Sequence, residues 1–378
     1  MKRKLAIIGA FYLQEPLIQT AKAMGCETHV FAWQVGDVGE KSADFFYPVS
    51  IVEKEEILQQ CRRIGVEGIC SIASDLAMLT VNYVAQKMGL VGNSLEATYL
   101  STNKSAMRAA FWRAGDPSPK SCLVERAEEL ELLELAYPLI VKPTDRSGSR
   151  GVTLIKQPGE LRRAFEEART ASFEKKVVVE EFVGGKEYSV ECVSWKGKHH
   201  FLAVTQKYTT GAPHFVETAH LEPALLPESE VCRIRQVVFH ALDTLKLENG
   251  VSHSEVKLEG GEIKLIEIGG RMGGDCIGSD LVRISTGVDL VRCAVQIALG
   301  EAPDLAQKDH GGAAAVRFIC GPRDLERLEQ LKRQAPELVY FCSPLQPFDH
   351  EVTDSAARFG YYILKGGTAE RLAAFLEE

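Results

Sequence analysis

Two glutamates placed symmetrically about Gly261 form the most informative pattern in this sequence. Glu255 precedes and Glu267 follows the pair Gly260-Gly261, which predicts a β-hairpin that turns at the glycines. The two carboxylates then lie opposite each other, and like charges in that position are destabilising unless something neutralises them. Mg²⁺ takes one or two carboxylates and completes its coordination with water and phosphate oxygens. The pattern favours a magnesium site, and a solvated hairpin face is the alternative.

Positive charge suited to phosphate occurs at two further places. Arg271 follows the hairpin closely, where its guanidinium could hold a phosphoryl or acyl-phosphate oxygen. Lys142 ends an apolar run and precedes a segment of small residues that contains Ser147, Gly148, Ser149 and Gly151. Small residues let the backbone approach anionic oxygens, so this segment could bind a phosphate. A flexible surface loop is the alternative, and the Gly-Lys-Ser order of a Walker loop is absent from the segment.

A third segment has the features of a nucleotide hinge. An apolar run ends in Glu180-Glu181-Phe182-Val183, and Glu187 follows a short glycine break. A hinge needs exposed backbone groups beside the adenine edge and an acceptor for the ribose hydroxyls, which these residues could supply. Taken by itself, the segment is explained equally simply as solvent-facing charge on an edge strand.

The elements that must position these residues change in character along the chain. Over residues 1–100, short apolar runs alternate with helical spacing, which predicts a doubly wound parallel sheet whose ligand edge includes Ser74 and Asp75. Residues 101–305 begin with a helix at 103–114 and continue into segments that predict antiparallel strands and hairpins. Residues 306–378 contain strands and helices of a small C-terminal α/β unit. The predicted class is α/β for the first domain and α+β beyond it.

The succession of these features is more specific than any one of them. A lysine on a helix, Lys104, comes first, followed by the strand lysine with its small-residue loop, the hinge, and the hairpin with its arginine. This order resembles the ATP-grasp superfamily over about residues 1–305. The stretches 14–18 and 267–275 look like those of bacterial carboxylate–amine ligases, a subgroup that includes L-amino acid ligases. The resemblance implies an ATP-grasp fold for the central domain.

The resemblance also implies roles for individual residues. Lys104 and Lys142 would bind the ATP phosphates, and the loop from Ser147 to Gly151 would close over them. The adenine would be flanked by Glu180, Glu181, Phe182 and Val183, with Glu187 on the ribose. Glu255 and Glu267 would hold Mg²⁺, for which Mn²⁺ is expected to substitute, and Arg271 would stabilise the transferred phosphoryl group. Gly269 stands where many members of the family carry an asparagine that assists the metal, which leaves the number of ions, one or two, open.

Acceptor specificity is expected in the segment 208–220, which is predicted to be irregular. Its residues His214 or Glu217 could orient an amine or accept its proton, and His220 lies in the same segment. A structural loop with incidental polar residues is the alternative. His253 is interpreted either as a site residue or as a satisfied strand histidine.

Composition narrows the function classes. The chain has 378 residues and a formal net charge of −8 with no compensating basic tract, which argues against nucleic acid as a partner. Its ten cysteines include no Cys-x-x-Cys pair and predict reduced thiols in a cytoplasmic protein. No apolar run approaches the length of about 18 residues that a membrane span needs. A homodimer is expected from the habit of the family.

The predicted function is a Mg-ATP-dependent ligase that phosphorylates a carboxylate and couples it to an amine. Small, amino-acid-like carboxylates and amines are the expected substrates, and the sequence does not identify them. One alternative is an ATP-grasp enzyme that makes carboxyphosphate or acts in purine metabolism. Another is a nucleotide-binding module without turnover, which the pair of metal carboxylates argues against.

Overall fold

The computed structural model describes residues 2–212, 215–307 and 312–376, so the prediction for His214 lies outside the described residues. The N-terminal part holds a four-stranded parallel sheet in the order β3-β2-β1-β4. Its strands are β1 (Lys4–Ile8), β2 (Glu27–Phe31), β3 (Phe45–Tyr47) and β4 (Gly68–Cys70). The associated helices are α1 (Glu15–Ala23), α2 (Val38–Ser42), α3 (Lys54–Ile64), α4 (Asp75–Met88) and α5 (Leu95–Thr102). The predicted parallel sheet is confirmed, and the short strand β3 adds to it.

Helix α4 begins where the sequence supplies a cap. The side chain of Ser74 accepts a hydrogen bond from the backbone N–H of Ala77 at 3.2 Å, and Gly89 ends the helix in a left-handed conformation. Because Ser74 is the cap, Asp75 becomes the first helical residue, at the carboxyl edge of the parallel sheet. This start fixes the direction of the Asp75 side chain.

A second, smaller sheet follows helix α6 (Lys104–Ala114). Its four strands are antiparallel in the order β5-β8-β6-β7. They are β5 (Ser121–Val124), β6 (Leu139–Pro143), β7 (Thr153–Ile155) and β8 (Val177–Glu181), and helix α7 (Leu161–Ala171) covers them. Strand β6 delivers Lys142 and strand β8 delivers Glu180.

The third sheet has eight strands, all antiparallel, in the order β13-β12-β9-β10-β11-β14-β16-β15. The strands are β9 (Lys186–Trp195), β10 (Lys198–Thr209), β11 (Glu217–Glu222), β12 (Gly250–Glu259), β13 (Glu262–Gly269), β14 (Ala313–Ile319), β15 (Val339–Cys342) and β16 (Gly360–Gly366). The helices in this part of the chain are α8 (Glu228–Thr244), α9 (Val282–Thr286), α10 (Leu290–Ala298), α11 (Pro322–Gln334) and α12 (Ala369–Ala373).

The C-terminal strands extend this large sheet. Strand β14 pairs with β11, with Ala219 opposite Arg317. The predicted C-terminal unit therefore shares a sheet with the central part, although its helices α11 and α12 belong to an apolar cluster of their own. The boundary drawn at residue 306 stays a prediction.

The two faces of the large sheet differ in chemistry because side chains alternate along each strand. One face carries apolar residues such as Val190, Val204 and Leu265, which pack against α8. The other face carries charged and polar residues from five neighbouring strands. We call it the polar face and define it by Glu187, Glu191, Lys207, His220, Glu222, His253, Glu255 and Glu267.

Candidate active site

The two glutamates of the hairpin lie opposite each other. Glu255 on β12 and Glu267 on β13 are Cα partners, and a bulge at Ile266 brings both side chains to the polar face. Both line a cavity of about 1110 Å³, and their side chains are 22% and 23% exposed. The geometry expected from the glycine turn is confirmed.

A lysine neutralises each of these carboxylates. Lys104 Nζ lies 2.7 Å from Glu267 Oε1 and also donates to the carbonyl of Arg146 at 2.8 Å. Lys207 Nζ lies 2.5 Å from Glu255 Oε1. The like charges of the hairpin are therefore balanced by cations that face the same cavity.

The donor set fits a magnesium ion bound together with phosphate. Within the described residues there is no group of three or more His, Cys, Asp or Glu side chains that could hold a metal. Two opposed carboxylates open to a large cavity instead suit an ion that takes its remaining ligands from water and phosphate oxygens. The residues present therefore fit Mg²⁺ in the form in which nucleotides carry it.

Lys207 is the centre of a carboxylate cluster that the sequence did not reveal. Its ammonium lies 2.8 Å from Glu187 Oε1 and 3.8 Å from Glu217 Oε1, in addition to its contact with Glu255. Burial favours the neutral amine, but the three carboxylates outweigh it and hold the pKa of Lys207 well above its ordinary value. Lys207 is therefore a fixed positive charge on the polar face.

His253 belongs to the same face. Its Nδ1 lies 2.5 Å from Glu191 Oε1 and its Nε2 lies 3.5 Å from Glu255 Oε1. Burial opposes protonation, but Glu191 and Glu255 raise the pKa of His253 to about 9. The imidazole lies beside Glu255 and lines the cavity. The structure therefore places His253 at the site.

Lys142 sits in a second charged cluster that is closed to solvent. Its Nζ lies 2.5 Å from Glu180 Oε1, and Arg108 Nε donates to Glu180 Oε2 at 2.9 Å. Burial opposes ionisation of Glu180, yet the charges of Arg108 and Lys142 lower its pKa to about 2. Burial lowers the pKa of Lys142, although Glu180 opposes that shift. The carboxylate of Glu180 holds two cations in place.

The small-residue loop meets the cavity at one end. Ser147 and Gly148 line it, and Gly148 and Gly151 adopt left-handed conformations with φ of 69° and 71°. The neighbouring Arg146 guanidinium lies 4.4 Å from the ring centroid of Phe173. Because Lys104 donates to the Arg146 carbonyl, the loop is tied directly to the Glu267 pair.

The predicted hinge lies beside Lys257. Its ammonium donates to the Val183 carbonyl at 3.1 Å and lies 4.9 Å from the centroid of the Phe182 ring. Glu181 accepts a hydrogen bond from the Ala136 N–H at 3.0 Å. Among the described residues that line the large cavity, none comes from 180–183. The adenine role of this segment stays a prediction.

The segment 208–220 differs from its predicted irregular form. Strand β10 continues to Thr209 and β11 begins at Glu217, so the expectation is wrong at both ends of the segment. In β11 the apolar residues Ala219 and Leu221 alternate with His220 and Glu222, which was the available signal for a strand. Glu217 lines the cavity and its Oε2 accepts a hydrogen bond from Ser355 Oγ at 2.5 Å.

Arg271 is held by the N-terminal domain. Its Nε and Nη2 both lie 2.9 Å from the carboxylate oxygens of Asp75, a bidentate pair with both side chains largely buried. Burial opposes ionisation of Asp75, but Arg271 lowers its pKa. The pair connects the start of α4 to the segment that follows the hairpin.

The segment before β16 adds Arg358 to the lining of the cavity. Arg358 Nη1 donates to Asp275 Oδ2 at 2.9 Å and Nη2 donates to Asp275 Oδ1 at 2.5 Å. The same guanidinium lies 3.6 Å from the centroid of the Phe318 ring. His220 Nε2 is 3.5 Å from Asp275 Oδ2. This cluster joins β11, β14 and the segment before β16 at one end of the cavity.

Comparison with known proteins bears on the origin of this arrangement. A family model described as an ATP-grasp domain matches residues 135–280. The alanine–anticapsin ligase of Bacillus amyloliquefaciens is 30% identical over 306 residues, which cover 71% of this chain and 64% of that protein. The D-alanine–D-alanine ligase B of Chromobacterium violaceum is 32% identical over 189 residues, covering 48% of this chain and 60% of that one.

A solved structure shares the fold over nearly the whole chain. The L-amino acid ligase of Bacillus licheniformis superposes with a TM-score of 0.84 at 22% identity, over 99% of this chain and 96% of that one. The chain contains an ATP-grasp domain. It spans about 64% of the length of the alanine–anticapsin ligase that it matches.

The Asp75–Arg271 ion pair lies beside Gly269, the position at which the resemblance led us to expect an asparagine. A Cβ atom added to Gly269 would lie 3.1 Å from Arg271 Cζ and 3.1 Å from Asp75 Oδ1. These distances are tighter than nearly all real Cβ contacts, so an asparagine at 269 would press on the pair. Glycine leaves the room that the Asp75–Arg271 pair occupies.

Three residues of the ATP-grasp site were missed by sequence reasoning: Lys207, Asp275 and Arg358. Lys207 immediately precedes the segment expected to set specificity, and its position on one face of a strand with Thr205 was the available signal. Arg358 and Asp275 are separated by 83 residues, and no local pattern connects them. No helix among the described residues is long and apolar enough to cross a membrane.

Proposed function

We propose that this protein is an ADP-forming ligase that phosphorylates a carboxylate and joins the resulting acyl phosphate to an amine. The observation that carries the proposal is the opposed pair Glu255 and Glu267, with Lys104, Lys207 and Arg271 around the same cavity. A site built only to bind a nucleotide has no need of two opposed carboxylates beside three cations. The names of the relatives, alanine–anticapsin ligase and D-alanine–D-alanine ligase, support the same reaction class.

The chemistry requires charge neutralisation more than covalent assistance. A carboxylate is a poor electrophile, and transfer of the ATP γ-phosphoryl group converts it into an activated acyl group with a good leaving group. Positioning and electrostatic stabilisation dominate that transfer. Lys104 would bind phosphate oxygens, and Lys142 would join it on leaving its closed pair with Glu180. The loop containing Ser147, Gly148, Ser149 and Gly151 would cover them, and Arg271 would bind the acyl phosphate.

Magnesium would be held by Glu255 and Glu267, and it would neutralise phosphate charge during the transfer. We propose that Mn²⁺ substitutes for it, since both ions favour oxygen ligands. His253 lies beside Glu255 on the polar face, where it would help to hold that carboxylate in place. The hinge residues Glu180, Glu181, Phe182 and Val183 would lie near the adenine, with Glu187 near the ribose.

The amine must lose a proton as it attacks the acyl carbon. Glu217 lines the cavity, and we propose that it orients the amine or accepts its proton, together with His214. The substrates are proposed to be small and amino-acid-like, in keeping with the relatives' names.

The proposal extends to the setting of the enzyme. All ten cysteines are free thiols, which fits a reducing compartment, and we propose a cytoplasmic homodimer without nucleic-acid or membrane partners. Size-exclusion chromatography with light scattering tests the dimer. A monomer at all accessible concentrations would contradict it.

The decisive experiment measures ADP and phosphate release from Mg-ATP with pooled amino acids and small carboxylic acids, with products identified by mass spectrometry. Glu267→Ala is compared with Glu262→Ala, an exposed glutamate at the start of the same strand. Substrate-dependent ADP and a condensed product are expected from the wild type and Glu262→Ala, and neither from Glu267→Ala.

Other outcomes would contradict specific parts of the proposal. AMP and pyrophosphate would indicate adenylation and exclude the acyl phosphate. ADP release that depends on bicarbonate alone would favour the carboxyphosphate alternative, which the cavity of about 1110 Å³ opposes because bicarbonate needs little space. ATP binding without ADP in any pool would leave a nucleotide-binding module.

A further inference from the structure

Two groups of aromatic side chains line the same cavity. We call them together the aromatic wall, which consists of Phe11 and Tyr12 on one side and Phe318, Phe341 and Tyr361 on the other. The ring centroids of Phe11 and Tyr12 are 4.6 Å apart, those of Phe318 and Tyr361 6.3 Å, and those of Phe341 and Tyr361 5.7 Å. Arg358 lies over Phe318, and its charge also acts on the Tyr12 hydroxyl.

The wall exposes more aromatic surface than a stable fold requires. Phe11 is 49% exposed, Tyr12 41% and Phe341 44%. Exposed apolar area is unfavourable by about 25 cal/mol per Å², and contiguous exposed apolar patches mark interaction sites. Two segments from opposite ends of the chain, the loop after β1 and the C-terminal strands, contribute to this one patch. Their convergence on the cavity indicates that they face a common ligand.

The wall is continuous with the groups that would carry out the reaction. Asp275 follows Arg271 by four residues and forms the bidentate pair with Arg358 that fixes the wall. The cavity of about 1110 Å³ lies above the range of roughly 300–1,000 Å³ that is usual for a site holding one small ligand. There is space for a second ligand beside a nucleotide.

The polar groups of the wall already have partners. Besides Asp275, Arg358 donates to the Ser355 carbonyl at 2.7 Å and to the Glu217 carbonyl at 3.5 Å. Burial raises the pKa of the Tyr361 hydroxyl, and the nearby Cys276 raises it further. The part of a ligand that packs here therefore meets ring faces and satisfied polar groups, which favours an uncharged, apolar group.

We propose that one of the two substrates carries a large apolar or aromatic group that packs against the aromatic wall. That the ligand is a substrate rests on the proposed ligase function. Binding of an apolar group at the wall can be tested separately. Packing against the rings would place the substrate's reacting group toward Arg271 and its side chain toward Phe341. The wall then selects for side-chain size and leaves the ATP site unaffected.

Calorimetric titration of the full-length chain with Mg-ADP present tests the site. The probes are L-phenylalanine and 3-phenylpropionate, each compared with its methyl counterpart, L-alanine or propionate. We expect at least one phenyl probe to bind about tenfold more tightly than its counterpart, as a phenyl group buried against aromatic rings should. Equal affinities within both pairs, or no binding of either phenyl probe, would overturn the inference.

Phe341→Ala and Tyr340→Ala provide matched variants on the edge strand β15. Tyr340 is 56% exposed and does not line the cavity, so its removal should leave phenyl binding unchanged. Phe341→Ala should remove most of the tenfold preference while the thermal unfolding midpoint stays close to that of Tyr340→Ala. Identical binding by the two variants would contradict the wall, and Phe11→Ala repeats the test from the N-terminal side.

The ADP assay separates this inference from the proposed function. If the protein condenses only small substrates and shows no preference for the phenyl series, the ligase proposal is supported and the wall is excluded as a substrate site. If a phenyl probe binds tightly through Phe341 but no mixture yields ADP, the wall is supported as a binding site and the ligase proposal is contradicted.

Discussion

Two clusters of ion pairs that join buried lysines to glutamates lie in the described part of the chain, and they differ in their access to the cavity. In the closed cluster, Lys142 and Arg108 hold the buried carboxylate of Glu180. In the open cluster, Lys104 and Lys207 meet Glu267 and Glu255, whose side chains are partly exposed to the cavity. The same pairing of residue types therefore serves two purposes. The closed cluster fixes the small sheet against α6, and the open cluster presents charge that a ligand can rearrange.

Removing the charge of Glu180 from the closed cluster should destabilise the folded protein. Glu180→Gln leaves two buried cations without their counter-charge and should lower the free energy of unfolding by about 3–5 kcal/mol. Urea denaturation measures the change, and Glu181→Gln is the control because that neighbouring side chain is partly exposed. A Glu180→Gln protein as stable as the control would show that the closed cluster contributes little to folding.

Acid should weaken the closed cluster in a defined pH window. The pKa of Glu180 falls from an ordinary 4.5 to about 2, so its contribution is present above pH 4.5 and is lost as the pH falls toward 2. A shift of this size corresponds to about 3 kcal/mol. Thermal unfolding of the wild type should show a decline between pH 4.5 and 2 that is reduced in Glu180→Gln. Parallel pH profiles would contradict the assignment.

Removing the charge of Glu267 from the open cluster should lower the catalytic activity. Glu267→Gln keeps the shape of the side chain but removes a carboxylate from the proposed metal site, and kcat/KM should fall about a hundredfold. Its unfolding free energy should change far less than that of Glu180→Gln. Steady-state ADP formation and urea denaturation on the same samples compare the two effects. Equal stability losses in the two variants would remove the distinction between the clusters.

Loosening the Asp75–Arg271 pair should lower the catalytic rate less than the loss of the Glu267 carboxylate does. Asp75→Asn leaves Arg271 in place but loosens its bidentate hold, so kcat should fall about tenfold while the KM for ATP stays near that of the wild type. Asp75→Glu keeps the charge and should recover part of the rate. A change confined to KM would indicate that Asp75 acts on binding and not on the position of Arg271.

The local parts of the site could be predicted because short-range rules determine them. The glycine pair at 260–261 sets the turn, and the bulge at Ile266 then shifts the register by one residue, which places Glu255 opposite Glu267. The parallel sheet of the first domain followed in the same way from alternating apolar and helical spacing. Each of these predictions needed only residues within one supersecondary unit.

The remaining parts depend on contacts between distant segments. Asp275 and Arg358 meet only because β14 and β16 extend the large sheet. Strand β11 was missed because the alternation of Ala219 and Leu221 with His220 and Glu222 is short and is broken by a register shift at Thr218. Lys207 was missed because a buried lysine has a recognisable role only after its three carboxylate partners are brought together by folding.

The space beside Gly269 has a consequence for how sequences of this kind can diverge. A side chain at 269 would meet the Asp75–Arg271 pair at 3.1 Å, so the pair would have to move by a few tenths of an ångström to admit it. We expect related chains that carry asparagine at the equivalent of 269 to hold their arginine in a slightly different position or through a different acidic partner. Substitutions at 269 and at 75 should therefore affect each other in these chains.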